Sequence, residues 1–252
     1  MKVNLTRQKL VAGQPAFGFA VGLGSPIATE MLTGCGIDFV FVDNQHGSWG
    51  SDSTIAAVMA ISTGAATPIA RVACNDYTMV GRLLDEGCMG VVFPMIHTAE
   101  DAKTAADSVR LPPVGTRSWG WGRATRYGDD YPDWINEQVL CIVQIESIQA
   151  VENAEAIMAT PGVDGCWLGP GDMALSMGID PRRAATDERH IAATERVLRA
   201  CQNTGKAAGF ACNSTQEARD RADKGWQFLT AGSDIGFILE GMADALETLR
   251  LR

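Results

Sequence analysis

The sequence predicts an α/β protein of the (β/α)8-barrel class, a TIM barrel. Eight short apolar runs alternate along the chain with segments that favour helix. The runs are apolar throughout and not only at every second residue, which is typical of parallel strands buried on both faces. The length of 252 residues matches one such barrel, so we expect a single domain over residues 1–252.

Each predicted strand is an apolar or β-branched run that a polar residue, glycine or proline closes. The eight runs are 17–23, 38–44, 67–72, 90–95, 140–146, 165–170, 207–212 and 228–233. Glycines stand shortly before several of them, at Gly36, Gly87, Gly162, Gly205 and Gly225. We expect these glycines at helix C′ positions, because glycine adopts positive φ easily.

The segments between the strands are rich in residues that favour helix. We predict helices over 26–33, 51–63, 78–86, 99–110, 147–159, 187–203, 215–224 and 234–251, and a further helix that begins at Met173. The segment 111–138, rich in Gly, Pro, Trp and Arg, is too long for a simple connection. It is either a surface excursion that packs or oligomerises, or a functional segment.

An open, doubly wound sheet is the alternative fold for alternating strands and helices. A GxGxxG turn after the first strand would favour it. Residues 21–24 continue instead into Ser-Pro, which does not fit that motif. The barrel is therefore the better prediction.

Composition and charge exclude several classes of protein. The net charge of −9 argues against an extended nucleic-acid or anionic-membrane surface, since both need a dense positive field. No apolar stretch approaches the ~20 residues of a membrane span, and the polar N-terminus has no signal core. Seven scattered cysteines without a CxxC pair are expected as reduced thiols, which indicates a cytoplasmic protein.

Polar residues follow several predicted strands at their carboxyl ends, where active sites of this fold are built. His46 follows the second strand and Arg71 closes the third. Gln144 and Glu146 close the fifth strand and, being two residues apart, project to the same side. Asp172 follows the sixth strand, so its carboxylate can converge with that of Glu146 near the mouth of the barrel.

Two converging carboxylates have three candidate uses. They could share a hard divalent cation, act as the acid/base pair of a glycosidase, or only pair with arginines and cap a helix. Asp172 would be the N-cap in the third case. The turn 169–172 also frees backbone N–H groups at a helix N-terminus, which suit a substrate carboxylate. A metal beside such an anion cradle is the arrangement that binds an α-keto acid.

Lysines and histidines narrow the chemistry further. The chain has five lysines: Lys2, Lys9, Lys103, Lys206 and Lys224. None of them is predicted near the carboxyl end of a strand, so a Schiff base with the substrate is not expected. His46 lies in a glycine-adjacent turn after the second strand, where catalysis is favoured over a structural role. His97 opens the loop after the fourth strand, and we expect His190 to be solvated on a polar helix.

Four pieces of the sequence resemble the metal-dependent pyruvate aldolases of the HpcH/HpaI type. They are 36–43 leading to His46, 144–146, 162–172, and the Pro-Pro-x-Gly-x-Arg signature that ends at Arg117. The resemblance covers nearly the whole chain, from Phe17 to Asp234. The family includes 4-hydroxy-2-oxoheptanedioate, 2-keto-3-deoxyglucarate and 2-keto-3-deoxyrhamnonate aldolases.

The resemblance implies a class II aldolase that depends on Mg²⁺, Mn²⁺ or Co²⁺, without PLP, nicotinamide or a Schiff-base lysine. Its substrates would be 4-hydroxy-2-oxo acids, either 2-keto-3-deoxy sugar acids or related diacids. They would be cleaved reversibly to pyruvate and an aldehyde through an enolate held at the metal. Glu146 and Asp172 match the metal ligands. Gln144 and the backbone N–H groups of Gly171 and Asp172 would bind the keto acid.

The resemblance also assigns the catalytic side chains. Arg71 would hold the keto oxygen, and His46 would transfer protons with the help of Asp85. Asp85 falls just before the fourth strand, at the wrong end of its own barrel, so another subunit would have to supply it. The same holds for Trp119, which would line the aldehyde pocket of a neighbour together with that subunit's Phe210.

The implied assembly is a hexamer, a trimer of dimers, in which partners swap the last helix. The apolar face of Phe237, Leu239, Met242 and Leu246 fits such an exchange. Many family members carry Glu where this chain has Gln45, which leaves the substrate range open. A citrate-lyase-like acyl-CoA lyase and a non-catalytic keto-acid-binding barrel remain as alternative functions.

Overall fold

A closed barrel of eight parallel strands forms the centre of the computed structural model, which describes residues 1–250. Each strand pairs with the next, and the last returns to the first. The strands are β1 (Ala16–Val21), β2 (Phe39–Asp43), β3 (Thr67–Arg71), β4 (Gly90–Phe93), β5 (Leu140–Ile145), β6 (Gly165–Leu168), β7 (Gly209–Ala211) and β8 (Phe228–Ser233). The predicted (β/α)8 barrel is confirmed, and seven strands lie within their predicted runs, while β1 begins one residue earlier, at Ala16.

Helices surround the barrel. In the described residues they are α1 (Leu5–Val11), α2 (Pro26–Thr33), α3 (Ser51–Ile61), α4 (Tyr77–Asp85), α5 (Ala99–Ser108), α6 (Tyr131–Gln138), α7 (Ile148–Glu152), α8 (Ala154–Met158), α9 (Pro170–Ser176), α10 (Glu188–Thr204), α11 (Thr215–Asp223) and α12 (Asp234–Thr248). Side-chain oxygens of Ser25, Asp76, Thr98, Ser147 and Ser214 cap α2, α4, α5, α7 and α11. All five glycines expected at helix ends have positive φ.

Two helix predictions need correction, and two helices were not predicted. The helix predicted over 147–159 is two short helices, because the chain leaves helical geometry at Asn153. The helix expected from Met173 begins at Pro170. α1 was not predicted, and the segment 111–138 contains α6. The predicted end of the last helix, Leu251, lies outside the described residues.

Aromatic side chains fill the axis of the barrel. Phe39 and Phe228 stack with their ring centroids 4.4 Å apart, and Phe41 lies 4.9 Å from Trp167. Leu10 of α1 packs into the same cluster from the amino end of the strands. The interior is therefore solid below the mouth, and reactants can bind only near the carboxyl ends of the strands.

The last helix is poorly covered by its own chain. Asp234 is the only buried residue of α12 among those described. Four of its apolar side chains are exposed: Ile235, Ile238, Leu239 and Met242. An apolar helix face left in solvent marks an interaction surface. No helix within residues 1–250 is long and apolar enough to cross a membrane.

Candidate active site at the mouth of the barrel

An arginine network lies inside the mouth, where β2, β3 and β5 end. Arg71 donates to both carboxylate oxygens of Asp43, from Nε at 2.9 Å and from Nη2 at 2.6 Å. Its Nη1 donates to Oε1 of Gln144 at 3.3 Å. Asp43 and Arg71 are direct partners in the pairing of β2 with β3, so the strand register itself sets this ion pair. The site thus holds a buried, fixed positive charge.

Asp43 is the member of this network to which the sequence analysis assigned no role. Burial pushes the pKa of Asp43 up, but hydrogen bonds and charge from Arg71, with backbone N–H groups of His46 and Gln45, lower it overall. The carboxylate is therefore ionised at neutral pH and fixes the guanidinium by two hydrogen bonds. Asp43 and Arg71 lie at the ends of adjacent predicted strands, and that position was the sequence signal that could have predicted their pairing.

Aromatic rings support the same arginine from inside the barrel. The guanidinium carbon of Arg71 lies 5.2 Å from the ring centroid of Trp167 and 5.8 Å from that of Phe41. Both distances are within the range of cation–π attraction. Trp167 is held in turn by a hydrogen bond of 3.3 Å from its Nε1 to Oγ1 of Thr230. These contacts leave the guanidinium little freedom to move.

Glu146 lies directly after β5 and is buried. Its Oε1 accepts from the backbone N–H of Met95 at 2.8 Å, and its Oε2 accepts from Nε2 of Gln144 at 2.5 Å. The pKa of Glu146 is raised overall. Burial is the largest cause, the Met95 N–H opposes the rise, and the neighbouring charge of Asp172 adds to it. The two carboxylates are thus close enough to interact.

Gly169 gives the Glu146 side chain its room. A Cβ on Gly169 would lie 2.9 Å from Nε2 of Gln144 and 3.0 Å from Oε2 of Glu146. Gly169 is also the N-cap of α9 and supplies no side-chain hydrogen bond there. Asp172 lies in the first turn, so its alternative role as an N-cap is wrong. The first-turn N–H groups of Gly171 and Asp172 have no carbonyl partner within α9.

Glu146 and Asp172 fit a hard divalent cation. Mg²⁺ takes one or two protein carboxylates and completes its shell with water and substrate. Within residues 1–250 no group of three or more His, Cys, Asp or Glu side chains could hold a metal, so the donor set stays at two carboxylates. Because Gly169 has no Cβ, it does not crowd the Oε2 atom of Glu146 that would face the cation. Oxygen donors of this kind favour Mg²⁺ or Mn²⁺ over soft metals.

His46 lies on the exposed turn after β2. Its backbone N–H donates to Oδ1 of Asp43 at 3.2 Å. The carboxylate that holds Arg71 therefore also anchors the backbone that carries this imidazole.

Asp85 ends α4 and lies at the amino end of the barrel, opposite the mouth. Its Oδ1 accepts from Nη2 of Arg117 at 2.9 Å. Arg117 is only 1% exposed and also donates to the hydroxyl of Tyr131 at 2.9 Å. A buried arginine thus fixes Asp85, and within one chain Asp85 does not meet His46.

Two exposed tryptophans lie beside Asp85. Trp119 is 45% exposed and Trp121 is 86% exposed, with their ring centroids 5.5 Å apart. A Cβ built on the intervening Gly120 would lie 3.8 Å from Oδ2 of Asp85. Trp119 therefore lies with Asp85 at the amino end, not at the mouth of its own barrel.

Phe210 does not reach the mouth of the barrel. It is 1% exposed, and its ring packs 5.2 Å from Trp226 beneath the guanidinium of Arg221 in the layer outside the barrel. The expectation that it lines the aldehyde pocket is therefore wrong for this chain. The next residue, Ala211, packs against the inner cluster instead. Side chains alternate along a strand, and the expectation was off by one residue.

The side chains of the other two histidines both make hydrogen-bond contacts. His190 is buried, not solvated, and its Nε2 lies 3.0 Å from the carbonyl oxygen of Pro170. Nδ1 of His97 lies 2.8 Å from the hydroxyl of Ser147, next to Glu146. Sequence reasoning missed the burial of His190 because the polar pattern of α10 hides a contact with α9.

Glu86, next to Asp85, leads to a prediction about stability. Burial raises its pKa to about 7, Arg82 opposes this, and Asp85 adds to it. A carboxyl whose folded pKa lies above its unfolded pKa stabilises the fold below about pH 4.5, and that stability is lost as pH rises towards 7. We therefore expect Glu86→Gln to raise the free energy of unfolding at pH 8 by about 1–2 kcal/mol, after discounting for solvent screening.

Urea titrations at pH 5 and pH 8 measure this difference. At pH 5 the variant and the parent should agree closely, and exposed Glu137→Gln is the matched control at both values. An equal gain at both pH values would contradict the prediction, because a packing effect does not depend on ionisation.

Comparisons with known proteins show the family to which the chain belongs. A profile of the HpcH/HpaI aldolase/citrate lyase family matches residues 17–240. A hydroxypyruvate/pyruvate aldolase from Chromohalobacter salexigens is 35% identical, over 94% of this chain and 93% of its own. A 4-hydroxy-2-oxovalerate aldolase from Novosphingobium aromaticivorans is 33% identical, over 99% of this chain and 96% of its own.

Solved structures of similar fold point to the same family. A crystal structure of an HpcH/HpaI aldolase/citrate lyase family protein from Burkholderia cenocepacia has a TM-score of 0.92 and 33% identity, and the match covers 98% of this chain and 100% of that one. A parallel barrel with charged groups gathered at the carboxyl ends of its strands is the arrangement found in enzymes of this fold. The chain belongs to the HpcH/HpaI aldolase/citrate lyase family. Like its named relatives it is an aldolase, a carbon–carbon lyase.

Proposed function

We propose that this enzyme reversibly cleaves 4-hydroxy-2-oxo acids to pyruvate and an aldehyde as a class II aldolase. The observation that carries the proposal is the fixed guanidinium of Arg71 beside the carboxylates of Glu146 and Asp172 in one mouth. The names of the relatives, among them a 5-keto-4-deoxy-D-glucarate aldolase of Escherichia coli that is 32% identical, support it.

The pyruvate half of the substrate binds through its two oxygen-bearing groups. Its carboxylate accepts hydrogen bonds from the backbone N–H groups of Gly171 and Asp172 at the start of α9. Its keto oxygen faces Arg71, whose charge stabilises the negative charge that develops there as the C3–C4 bond breaks. Gln144, bonded to both Arg71 and Glu146, orients these groups towards each other.

Glu146 and Asp172 would hold Mg²⁺, Mn²⁺ or Co²⁺ beside this position. Such a cation, when bound, supplies Lewis-acid polarisation of the keto group. The hydrogen bonds from Met95 and Gln144 keep the Glu146 carboxylate in one orientation.

The proton steps fall to His46. Its imidazole takes the proton of the 4-hydroxyl group, the C3–C4 electron pair passes into the enolate, and the aldehyde leaves. The enolate then takes up a proton at C3 and becomes pyruvate. Asp85 of a neighbouring subunit orients the imidazole, since the Asp85 of the same chain lies at the other end of the barrel.

A polar cavity at the carboxyl ends of β7 and β8 suits the aldehyde half. Its volume is about 350 Å³, and Ala20 and Thr230 line it from the barrel. Asn213, Ser214, Thr215 and Ser233 contribute hydroxyl and amide groups to the lining, which also includes Phe237 and the carboxylate of Glu240. Because hydroxyl and amide groups pair with substrate hydroxyls while the Glu240 carboxylate repels a second carboxylate, the cavity favours 2-keto-3-deoxy sugar acids over diacids and apolar aldehydes.

We infer a homo-hexamer, a trimer of dimers, in which the last helix is exchanged between partners. The exposed apolar face of α12 supports an interface there. The exposed Trp119 beside Asp85 supports a second interface, through which both residues reach a neighbour's mouth. The remaining binding partners are the keto acid and the aldehyde. The seven scattered cysteines, expected as reduced thiols, support a cytoplasmic location.

Mixing two inactive variants tests the shared site. We expect Asp85→Asn and His46→Asn each to lower kcat by about 10²-fold or more. After joint unfolding and reassembly, about a quarter of the sites should combine an intact His46 with an intact neighbouring Asp85. The measurement is the specific activity of the 1:1 mixture.

The matched control mixes His46→Asn with Arg71→Ala. Both residues belong to the mouth of one chain, so this mixture should recover nothing. Recovery in the control, or none in the Asp85→Asn mixture, would contradict a site completed by a neighbour.

A retro-aldol screen tests the proposed activity. Purified enzyme is incubated with 2-keto-3-deoxy sugar acids and 4-hydroxy-2-oxo diacids, with Mg²⁺, Mn²⁺ or Co²⁺, and pyruvate is detected with lactate dehydrogenase. The reverse reaction with hydroxypyruvate in place of pyruvate shows which donor is preferred. The proposal fails if no such acid yields pyruvate while an acyl-CoA thioester is cleaved.

A further inference from the structure

A buried histidine outside the mouth contacts the turn that carries Asp172. His190 lies near the start of α10 and is only 4% exposed. Its Nε2 lies 3.0 Å from the carbonyl oxygen of Pro170, the first residue of α9. A carbonyl oxygen only accepts, so Nε2 carries a hydrogen and donates. The mechanism above does not use this histidine.

The start of α9 lacks the usual means of fixing a helix N-terminus. Ser147 and Ser214 cap α7 and α11 with side-chain hydrogen bonds, whereas Gly169 offers none to α9. Gly171 adds no packing either, because a Cβ there would meet nothing within 4 Å. The bond from His190 is therefore the side-chain contact that anchors this turn from behind.

The anchored carbonyl belongs to the same peptide unit as the N–H of Gly171. A trans peptide is planar, and its oxygen and hydrogen point in opposite directions. Holding the Pro170 oxygen towards His190 therefore directs the Gly171 N–H away from α10. The following residue, Asp172, takes its backbone position from the same turn.

We propose that His190 is a positioning residue for the oxo acid. Its hydrogen bond to Pro170 fixes the peptide whose N–H receives the substrate carboxylate, and with it the backbone of Asp172. The inference rests on the proposed function, because it assigns the carboxylate to Gly171. It predicts an effect on oxo-acid binding without a matching loss of the chemical step.

Three variants separate the hydrogen bond from packing. His190→Leu fills similar space without a donor, and His190→Gln places an amide donor near the position of Nε2. His190→Asn carries an amide that is too short to reach Pro170. We expect Leu and Asn to raise KM for the cleaved acid about tenfold, the size of one lost hydrogen bond, with kcat within about threefold. Gln should restore KM to within about threefold.

Calorimetric titration with oxalate in the presence of Mn²⁺ gives a second readout that needs no turnover. The dissociation constant for oxalate should follow the order of the KM values. Thermal unfolding shows which variants are folded, and if Leu does not fold, the comparison of Asn with Gln decides.

Unchanged KM and oxalate affinity in His190→Asn would overturn the inference. An equal loss in Asn and Gln would also overturn it, since packing alone would then explain the effect. A fall in kcat at unchanged KM would do the same. If the unaltered enzyme cleaves no oxo acid and binds no oxalate, the proposed function fails and this inference falls with it.

Discussion

Glu146→Gln should lower pyruvate release by about 10³-fold or more, the largest effect that we expect from one side chain. The amide keeps the size of the side chain, and its oxygen can still accept from the Met95 N–H, but its NH2 group cannot accept from Nε2 of Gln144. The main loss is the negative charge that, with Asp172, would hold the divalent cation. The measurement is kcat/KM in the coupled pyruvate assay with saturating Mn²⁺.

Metal binding provides an independent check on the same variant. Mn²⁺ should raise the Tm of the unaltered enzyme, because a ligand that binds only the folded state stabilises it. Glu146→Gln should lose that shift, whereas exposed Glu152→Gln, six residues along the chain, should keep both the shift and the activity. Near-normal activity of Glu146→Gln in buffer with a strong chelator would refute the metal role.

Arg71→Ala is expected to have the second-largest effect, a loss of about 10²–10³-fold in kcat. The guanidinium contributes charge at the keto oxygen, and its three hydrogen bonds to Asp43 and Gln144 fix its position. Arg71→Lys keeps the charge but cannot make the paired hydrogen bonds, so we expect it to recover only part of the rate.

Asp43→Asn is the matched test of positioning. It leaves Arg71 in place but weakens the bonds that hold it, so its kcat should lie between those of Arg71→Ala and the unaltered enzyme. Steady-state kinetics on the best substrate of the screen would order the variants. If Arg71→Ala retained more than about a tenth of kcat, the proposed role at the keto oxygen would be wrong.

Much of the architecture could be predicted from the sequence because each strand is a distinct apolar run. Parallel strands buried on both faces read as continuous apolar segments, however, so their inward side is ambiguous. That is why Phe210 was expected at the mouth when Ala211 faces inward. Gln144 and Glu146 escaped this error because polar side chains in an apolar strand must point to a polar site.

The remaining misses concern contacts between elements that are distant in sequence. The pairing of Asp43 with Arg71 depends on the register of two strands, which no local pattern specifies. The burial of His190 depends on how α10 packs against α9. α1 is short, and tertiary contacts such as that of Asn4 Nδ2 with the Met89 carbonyl oxygen hold it.

The filled axis of the barrel has a kinetic consequence. Stacked rings of Phe39 and Phe228, closed below by Leu10, leave no passage through the molecule. Substrate entry and the departure of both products must therefore share one opening. With the oxo-acid half held against buried Arg71, as proposed, the aldehyde would leave first and pyruvate second, which is an ordered release. Pyruvate accumulation would then inhibit cleavage competitively, while the aldehyde would act as a non-competitive product inhibitor.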